Sequence, residues 1–265
     1  MFLIFRRLWQ VNWAEQWQYR ANLLMYLFYW LVSPIIYLAV WTSIASSKGS
    51  VNGFTANDFV TYYMTLLIVD QITSNIVIHT FGYKIQDGTL SSELIRPIHP
   101  MLTNALVNNI AFKMLTIMGL TPIWIVLALL FKPNFASVTW QGILLAAPAA
   151  ILGFFICFLL SAAVTSLAFW TTRVYSIHEF YYALILLFSG QFVPLPLMPK
   201  IIQNIAQYLP FQFFIYFPIQ VTLGKLSTAQ IAQGYVTAGI WLILSLVFFQ
   251  WIWRNGVKKF SAVGA

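Results

Sequence analysis

Acidic residues are scarce in this sequence: six Asp and Glu stand against fourteen Lys and Arg in 265 positions, and charged residues make up only 8% of the chain. A soluble domain carries roughly a quarter charged residues, so a water-facing surface cannot be assembled from this composition. Cysteine is almost absent. The single thiol, Cys157, excludes an internal disulfide framework, and within its apolar run it reads as a small hydrophobe. The three histidines, His79, His99 and His178, are scattered along the chain. His178 and Glu179 begin a zinc-protease pattern, but Tyr182 stands where the second ligand belongs, so no metal site is expected. A glycine-rich phosphate loop is also missing: the one Gly-Lys pair, Gly224 and Lys225, is followed by Leu226 and lacks the upstream glycine. Any nucleotide-driven work must therefore come from a partner chain. No catalytic, cofactor-binding or metal residues are assigned, and the chain is not expected to be an enzyme.

What is abundant is apolar and aromatic surface, 60% and 18% of residues respectively. The solvent to reason with is the bilayer, where Trp and Tyr favour the head-group boundary. The net charge of +8 does not point to nucleic acid, because Lys and Arg flank the apolar runs instead of forming a stripe. A spanning helix needs about 20 apolar residues to cross roughly 30 Å of hydrocarbon. Spans are expected at 23–43, 59–80, 108–131, 142–170, 176–195 and 236–253 of a single transmembrane domain covering 1–265. The first, at 21 residues, is too long for the core of a signal peptide and is kept as a transmembrane helix. The fourth carries no charge and has small residues at Ala146/Ala150 and Ala149/Gly153, a spacing that lets helices approach closely.

Around these spans, Phe5, Trp9, Trp13 and Trp17 recur at helical spacing in 1–20, which predicts an interfacial helix resting on membrane lipid. The fifth span is followed by Pro194, Pro196, Pro199 and Pro210, which cannot continue a helix. The segment 196–223 is therefore expected to dip into the membrane as short re-entrant helices without crossing. With the N- and C-termini inside, ten basic residues including Lys113 fall on the cytoplasmic side and four outside, in keeping with the positive-inside rule.

Two features point to work. Asp70 is the one carboxylate well inside a span, a costly placement that makes it a functional candidate; it is read here as a packing or gating residue, not a proton carrier. The connection 84–97 interleaves polar and apolar residues: Leu90, Leu94 and Ile95 give a short helix an apolar face, Ser91 and Ser92 serve its start, and Pro97 stops it. Such a helix suits a groove on a soluble partner.

The sequence resembles a permease subunit of the ABC-2 type transporter family. The residues that carry the resemblance are Gly88, Leu90, Leu94, Arg96 and Pro97, then Phe169-Trp170-Thr171-Thr172-Arg173, Ser189-Gly190-Gln191-Phe192-Val193-Pro194, Leu209-Pro210-Phe211, and the block from Ile215 to Gln220. The resemblance implies an all-α polytopic membrane protein with six transmembrane helices, an N-terminal interfacial helix, a cytoplasmic coupling helix and extracellular re-entrant helices. It implies an exporter of an amphipathic or large substrate (lipid, polysaccharide, drug or peptide) in a bacterial inner membrane. The expected partners are an ATP-binding cassette ATPase subunit, which would hold ATP and Mg, and a second permease chain, identical or paralogous. Leu90, Leu94, Arg96 and Pro97 are expected to couple to the ATPase. Gly190, Phe192, Pro194, Phe211, Phe213 and Phe214 are expected at an outer gate closed by dry contact between the two permeases. The alternative is a secondary transporter or channel with Asp70 as its ion or proton site.

Overall fold

In lipid, every backbone polar group must be satisfied within its own segment, so long apolar runs fold as helices. The computed structural model describes residues 2–18 and 20–260, and every regular element among them is helical. The elements are α1 (Phe2–Gln18), α2 (Arg20–Lys48), α3 (Ala56–Thr73), α4 (Val77–Gln86), α5 (Ser91–Leu94), α6 (Val107–Phe131), α7 (Trp140–Ser166), α8 (Val174–Phe188), α9 (Lys200–Ala206), α10 (Tyr216–Thr222) and α11 (Thr228–Val257). A π-helical turn, Met101–Leu106, leads into α6. Side-chain oxygens fix several starts. Thr55 and Asp58 form a reciprocal capping box on α3, Ser227 and Gln230 do the same on α11, and Thr139 accepts from Gly142 N–H at 3.0 Å on α7.

Five helical segments are long and apolar enough to cross a membrane: Met25–Lys48, Ala56–Gln86, Val107–Phe131, Trp140–Phe169 and Thr228–Val257. The expected span 176–195 is not among them. Its helix, α8, has 15 residues, about 22 Å at 1.5 Å per residue against roughly 30 Å of hydrocarbon. Beyond Phe188 the chain bends through Gly190 and the prolines, as the loss of N–H donors requires. The span expected at 59–80 is two helices, α3 and α4, parted by non-helical residues 74–76. The 84–97 connection holds a single helical turn, α5, so the expected coupling helix is shorter than its apolar pattern suggested.

The α3–α4 pair is the most buried of the five spans, with α2, α6, α7 and α10 around it. One apolar core surrounds α3 and includes the 3-10 turn Pro210–Phe213 and α10. A second, largely aromatic one gathers Phe81, Leu90, Phe158, Phe249 and Trp253 at the far end of the bundle. The small-residue face of α7 is buried, and at Gly153 the backbone of Phe213 comes so close that a β-carbon would overlap its carbonyl. Helix α1 lies against α6, with Trp9 stacked on Trp13 at 5.7 Å. The side chain of Phe5, also in the expected apolar stripe, lies outside the described ones, as do Met1 and Tyr19.

Contacts between loops define the two ends of the bundle. At one, Lys225 Nζ stands 3.6 Å from Asp58 Oδ1 and 5.2 Å from the centroid of the Phe54 ring. At the other, Gln86 donates to the Thr172 carbonyl at 3.0 Å, and His99 packs on Trp253 with ring centroids 4.8 Å apart.

Candidate functional site

The break between α3 and α4 exposes backbone groups at membrane depth, and neighbouring helices satisfy them. Asn75 donates to Ser161 Oγ at 2.9 Å and Cys157 Sγ at 3.1 Å on α7, while its own carbonyl oxygen accepts from Val77 N–H at 3.3 Å. From α6, Lys113 donates to the Gln71 carbonyl at 2.8 Å and to Ser74 Oγ at 3.3 Å. A cation at the C-terminal end of α3 also meets the negative end of the helix dipole. Lys113 is therefore not among the cytoplasmic charges, where the topology count had placed it. It is buried inside the bundle, 5.4 Å from the centroid of the Phe154 ring.

A cavity with ≈ 920 Å³ of empty space, mouth included, opens beside this break. Tyr26, Tyr29 and Trp30 of α2 line it, together with Asp70 of α3, His79 of α4 and His178, Glu179 and Tyr182 of α8. Asp70 is only 6% exposed, whereas Tyr29 is 69% exposed. The two described ion pairs are Lys84–Glu93 and Lys225–Asp58, and Asp70 belongs to neither. His79 and His178, far apart in sequence, bring their rings to 5.9 Å. Among the described residues no group of three His, Cys, Asp or Glu side chains is arranged to hold a metal. Sequence patterns missed this gathering, because it joins residues from four helices spread along the chain from α2 to α8. Its one local signal is Asp70 in a span that also carries the polar Gln71, Ser74 and Asn75.

The segment after α8 is latched to α2 and α3. Tyr62 donates to the Gly190 carbonyl at 2.8 Å, and Tyr63 and Trp41 donate to the Phe192 carbonyl at 2.7 and 3.2 Å. Gly190 has φ +86°, a left-handed conformation that other L residues rarely adopt. Pro194 is buried. Of the four phenylalanines expected to meet a partner's, Phe211, Phe213 and Phe214 are buried in this chain's own core, in edge-to-face contact with neighbouring rings. Side chains so committed cannot also form a closing face between two chains. Phe192, 41% exposed and set against Tyr37 and Trp41, is the gate candidate with free surface.

The four coupling residues separate in the same way. Leu90 is fully buried in the second core, and Leu94 packs against it from a half-buried position. Leu90 therefore holds the turn in place instead of offering its side chain to a partner, while Leu94 keeps part of its surface free. Buried Glu93 receives Lys84 Nζ at 2.7 Å, which ties the turn to α4. What projects outward is Ile95, 86% exposed, followed by exposed Arg96 and Pro97. Ile95 was in the expected apolar face but not in the expected contact set.

This is an integral membrane protein of apolar helices with a polar, aromatic cavity among them. Residues 24–264 match the family described as ABC-2 family transporter protein. The match covers nearly the whole chain, and the chain belongs to that family of membrane transport permeases. Membership implies a transmembrane subunit without catalytic chemistry of its own. No curated protein matches it.

Proposed function

We propose that this chain is the permease subunit of an ATP-driven exporter, which pairs with a separate ATP-binding cassette subunit that holds ATP and Mg. The observation that carries this reading is the family match over 24–264 in a chain whose sequence has no phosphate-binding loop. Six crossings fit the contacts best. The chain leaves α7 at the end where Gln86 meets Thr172 and begins α11 at the end where Lys225 meets Asp58, so α8 with 189–222 carries it across. With Lys113 withdrawn from the count, nine basic residues lie on the Thr172 side and four on the Asp58 side, which favours cytoplasmic termini in a bacterial inner membrane.

In this reading Ile95, Arg96 and Pro97 meet the ATPase while Leu90 and Leu94 make the turn rigid enough to transmit its motion. A second permease chain, identical or paralogous, completes the pathway, with Phe192 at its outer constriction and Phe211, Phe213 and Phe214 as the packed wedge behind it. The cargo is amphipathic or large, in the range of lipid, polysaccharide, drug or peptide. The test is purification from the native membrane followed by reconstitution. An ATPase subunit should co-elute, and transport in proteoliposomes should require hydrolysable ATP. Transport that instead follows an imposed proton gradient and ignores ATP would sink this reading. It would favour a secondary transporter, for which the position of Asp70 in the cavity is the supporting observation.

A further inference from the structure

Asp70 is 6% exposed, and its side chain lines the cavity without a hydrogen bond or ion pair among the described residues. Lys113 attracts it electrostatically, but the ammonium is committed to the Gln71 carbonyl and Ser74 Oγ at the helix break. A carboxylate in low dielectric is costly unless a counter-charge reaches it. Glu179, exposed on α8, lines the same cavity and adds a second acid. The other titratable bases there, His79 and His178, are imidazoles that carry little positive charge at pH 7. Tyr26, Tyr29, Trp30 and Tyr182 line the same cavity, and their ring faces attract cations and bury apolar bodies.

We propose that this cavity takes an organic cation, a protonated amine or quaternary ammonium carried on an apolar body. Its charge sits against Asp70 and its body on the rings of Tyr26, Tyr29, Trp30 and Tyr182. The proposal names a substrate class for the exporter reading and rests on that reading only for the direction of movement. The amphipathic character of such a cation matches a site with one deep charge and a wide aromatic mouth, and a polyanion would meet two carboxylates at the same place.

The experiment uses the full chain in nanodiscs, with whatever subunits co-elute and without nucleotide, so that binding is read apart from ATP-driven transport. The probes are tetraphenylphosphonium and its isosteric anion tetraphenylborate, each corrected for empty nanodiscs. Saturable binding of the cation and none of the anion is expected. Asp70→Asn, which keeps the side chain's size, should weaken cation binding about tenfold or more. Tyr29→Ala, at an exposed position, should weaken it while leaving the melting temperature unchanged. Asp58→Asn, at the Lys225 end of the bundle, should leave it as in the wild type. Equal binding of the two ions, or full cation affinity in both Asp70→Asn and Tyr29→Ala, overturns the proposal. Cation binding through Asp70 in a protein that transports without ATP would overturn the exporter reading and leave this one standing. ATP-driven export by a protein that does not bind the cation would do the reverse.

Discussion

Gly190 joins α8 to the segment packed against α2 and α3, and Gly190→Ala tests that junction with the smallest possible change. Two costs are readable from the geometry. At φ +86° an L residue adopts a left-handed conformation, which costs about 1–2 kcal/mol. The added β-carbon would also stand 2.7 Å from Tyr62 Oη and 3.1 Å from Tyr216 Cβ. Tyr62 is buried and its hydroxyl donates to the Gly190 carbonyl at 2.8 Å. Moving it aside leaves that buried carbonyl without its donor, for about 1–3 kcal/mol more. Together these give about 2–5 kcal/mol.

For a chain of this size each kcal/mol moves the melting temperature by about 2–4 °C. Gly190→Ala in detergent should therefore melt at least about 4 °C below the wild type. Tyr62→Phe separates the two costs, since it removes the hydroxyl and with it both the hydrogen bond and the overlap. The double variant should then lie below Tyr62→Phe by the backbone strain, about 1–2 kcal/mol, together with the remaining tight contact to Tyr216 Cβ. A Gly190→Ala protein that melts with the wild type would refute the left-handed junction. Penalties that simply add would refute the contact with Tyr62.

Three further outcomes are expected. Ile95→Asp should abolish co-purification of the ATPase with the melting temperature unchanged, whereas Leu90→Ala should cost about 2–5 kcal/mol of stability because it empties a buried site; pull-down and melting curves together separate the two. His99 has its pKa lowered by burial, and its Nδ1 accepts Met101 N–H at 3.2 Å. Its contribution is thus present above its ordinary value of about 6.5 and is lost as pH falls through the lowered one, so the melting temperature should drop less between pH 7.5 and 5.5 in His99→Asn than in the wild type. Gly153→Val should destabilise by about 1–3 kcal/mol or more, since its side chain displaces the backbone at Phe213; a near-silent change by thermal melting would mean that the 3-10 turn is not seated on α7.

Long uniform segments were legible in the sequence, and the places where one helix depends on another were not. Apolar runs with flanking charges marked α2, α6, α7 and α11, because helix formation in lipid is decided by the segment itself, although α2 ends five residues after its expected span and α11 begins eight residues before its own. The prolines after α8 marked an irregular segment for the same local reason, but they could not say that α8 itself stops at Phe188. Residues 59–80 read as one span, since nothing in Ser74, Asn75 and Ile76 forbids a helix; what holds the break open is Lys113 from α6 and Ser161 from α7. Lys113 misled for a related reason. Near the start of an apolar run a lysine reads as a flank, and only packing shows that it turns inward. The site suffered most. Leu90 and Ile95 are both apolar residues of one short turn, and their opposite fates depend on the aromatic core around Trp253.

The polar groups at depth can be understood through one physical constraint. Breaking a spanning helix frees carbonyls and N–H groups that lipid cannot satisfy, so the break at 74–76 exists only where side chains converge on it. Asn75 and Lys113 fill that role, and each is fully engaged by it. Asp70, one turn earlier in α3, is not. Its backbone carbonyl accepts Ser74 N–H at the break, but its side chain accepts no donor there and lines the cavity instead. Hydrogen bonding at the break therefore accounts for the amide and the ammonium, but the Asp70 carboxylate makes no hydrogen bond there. A buried carboxylate with no side-chain hydrogen bond, only the longer-range attraction of Lys113, that opens on a cavity is retained at a cost to stability. That cost is what separates Asp70 from its polar neighbours and makes it the residue on which recognition turns.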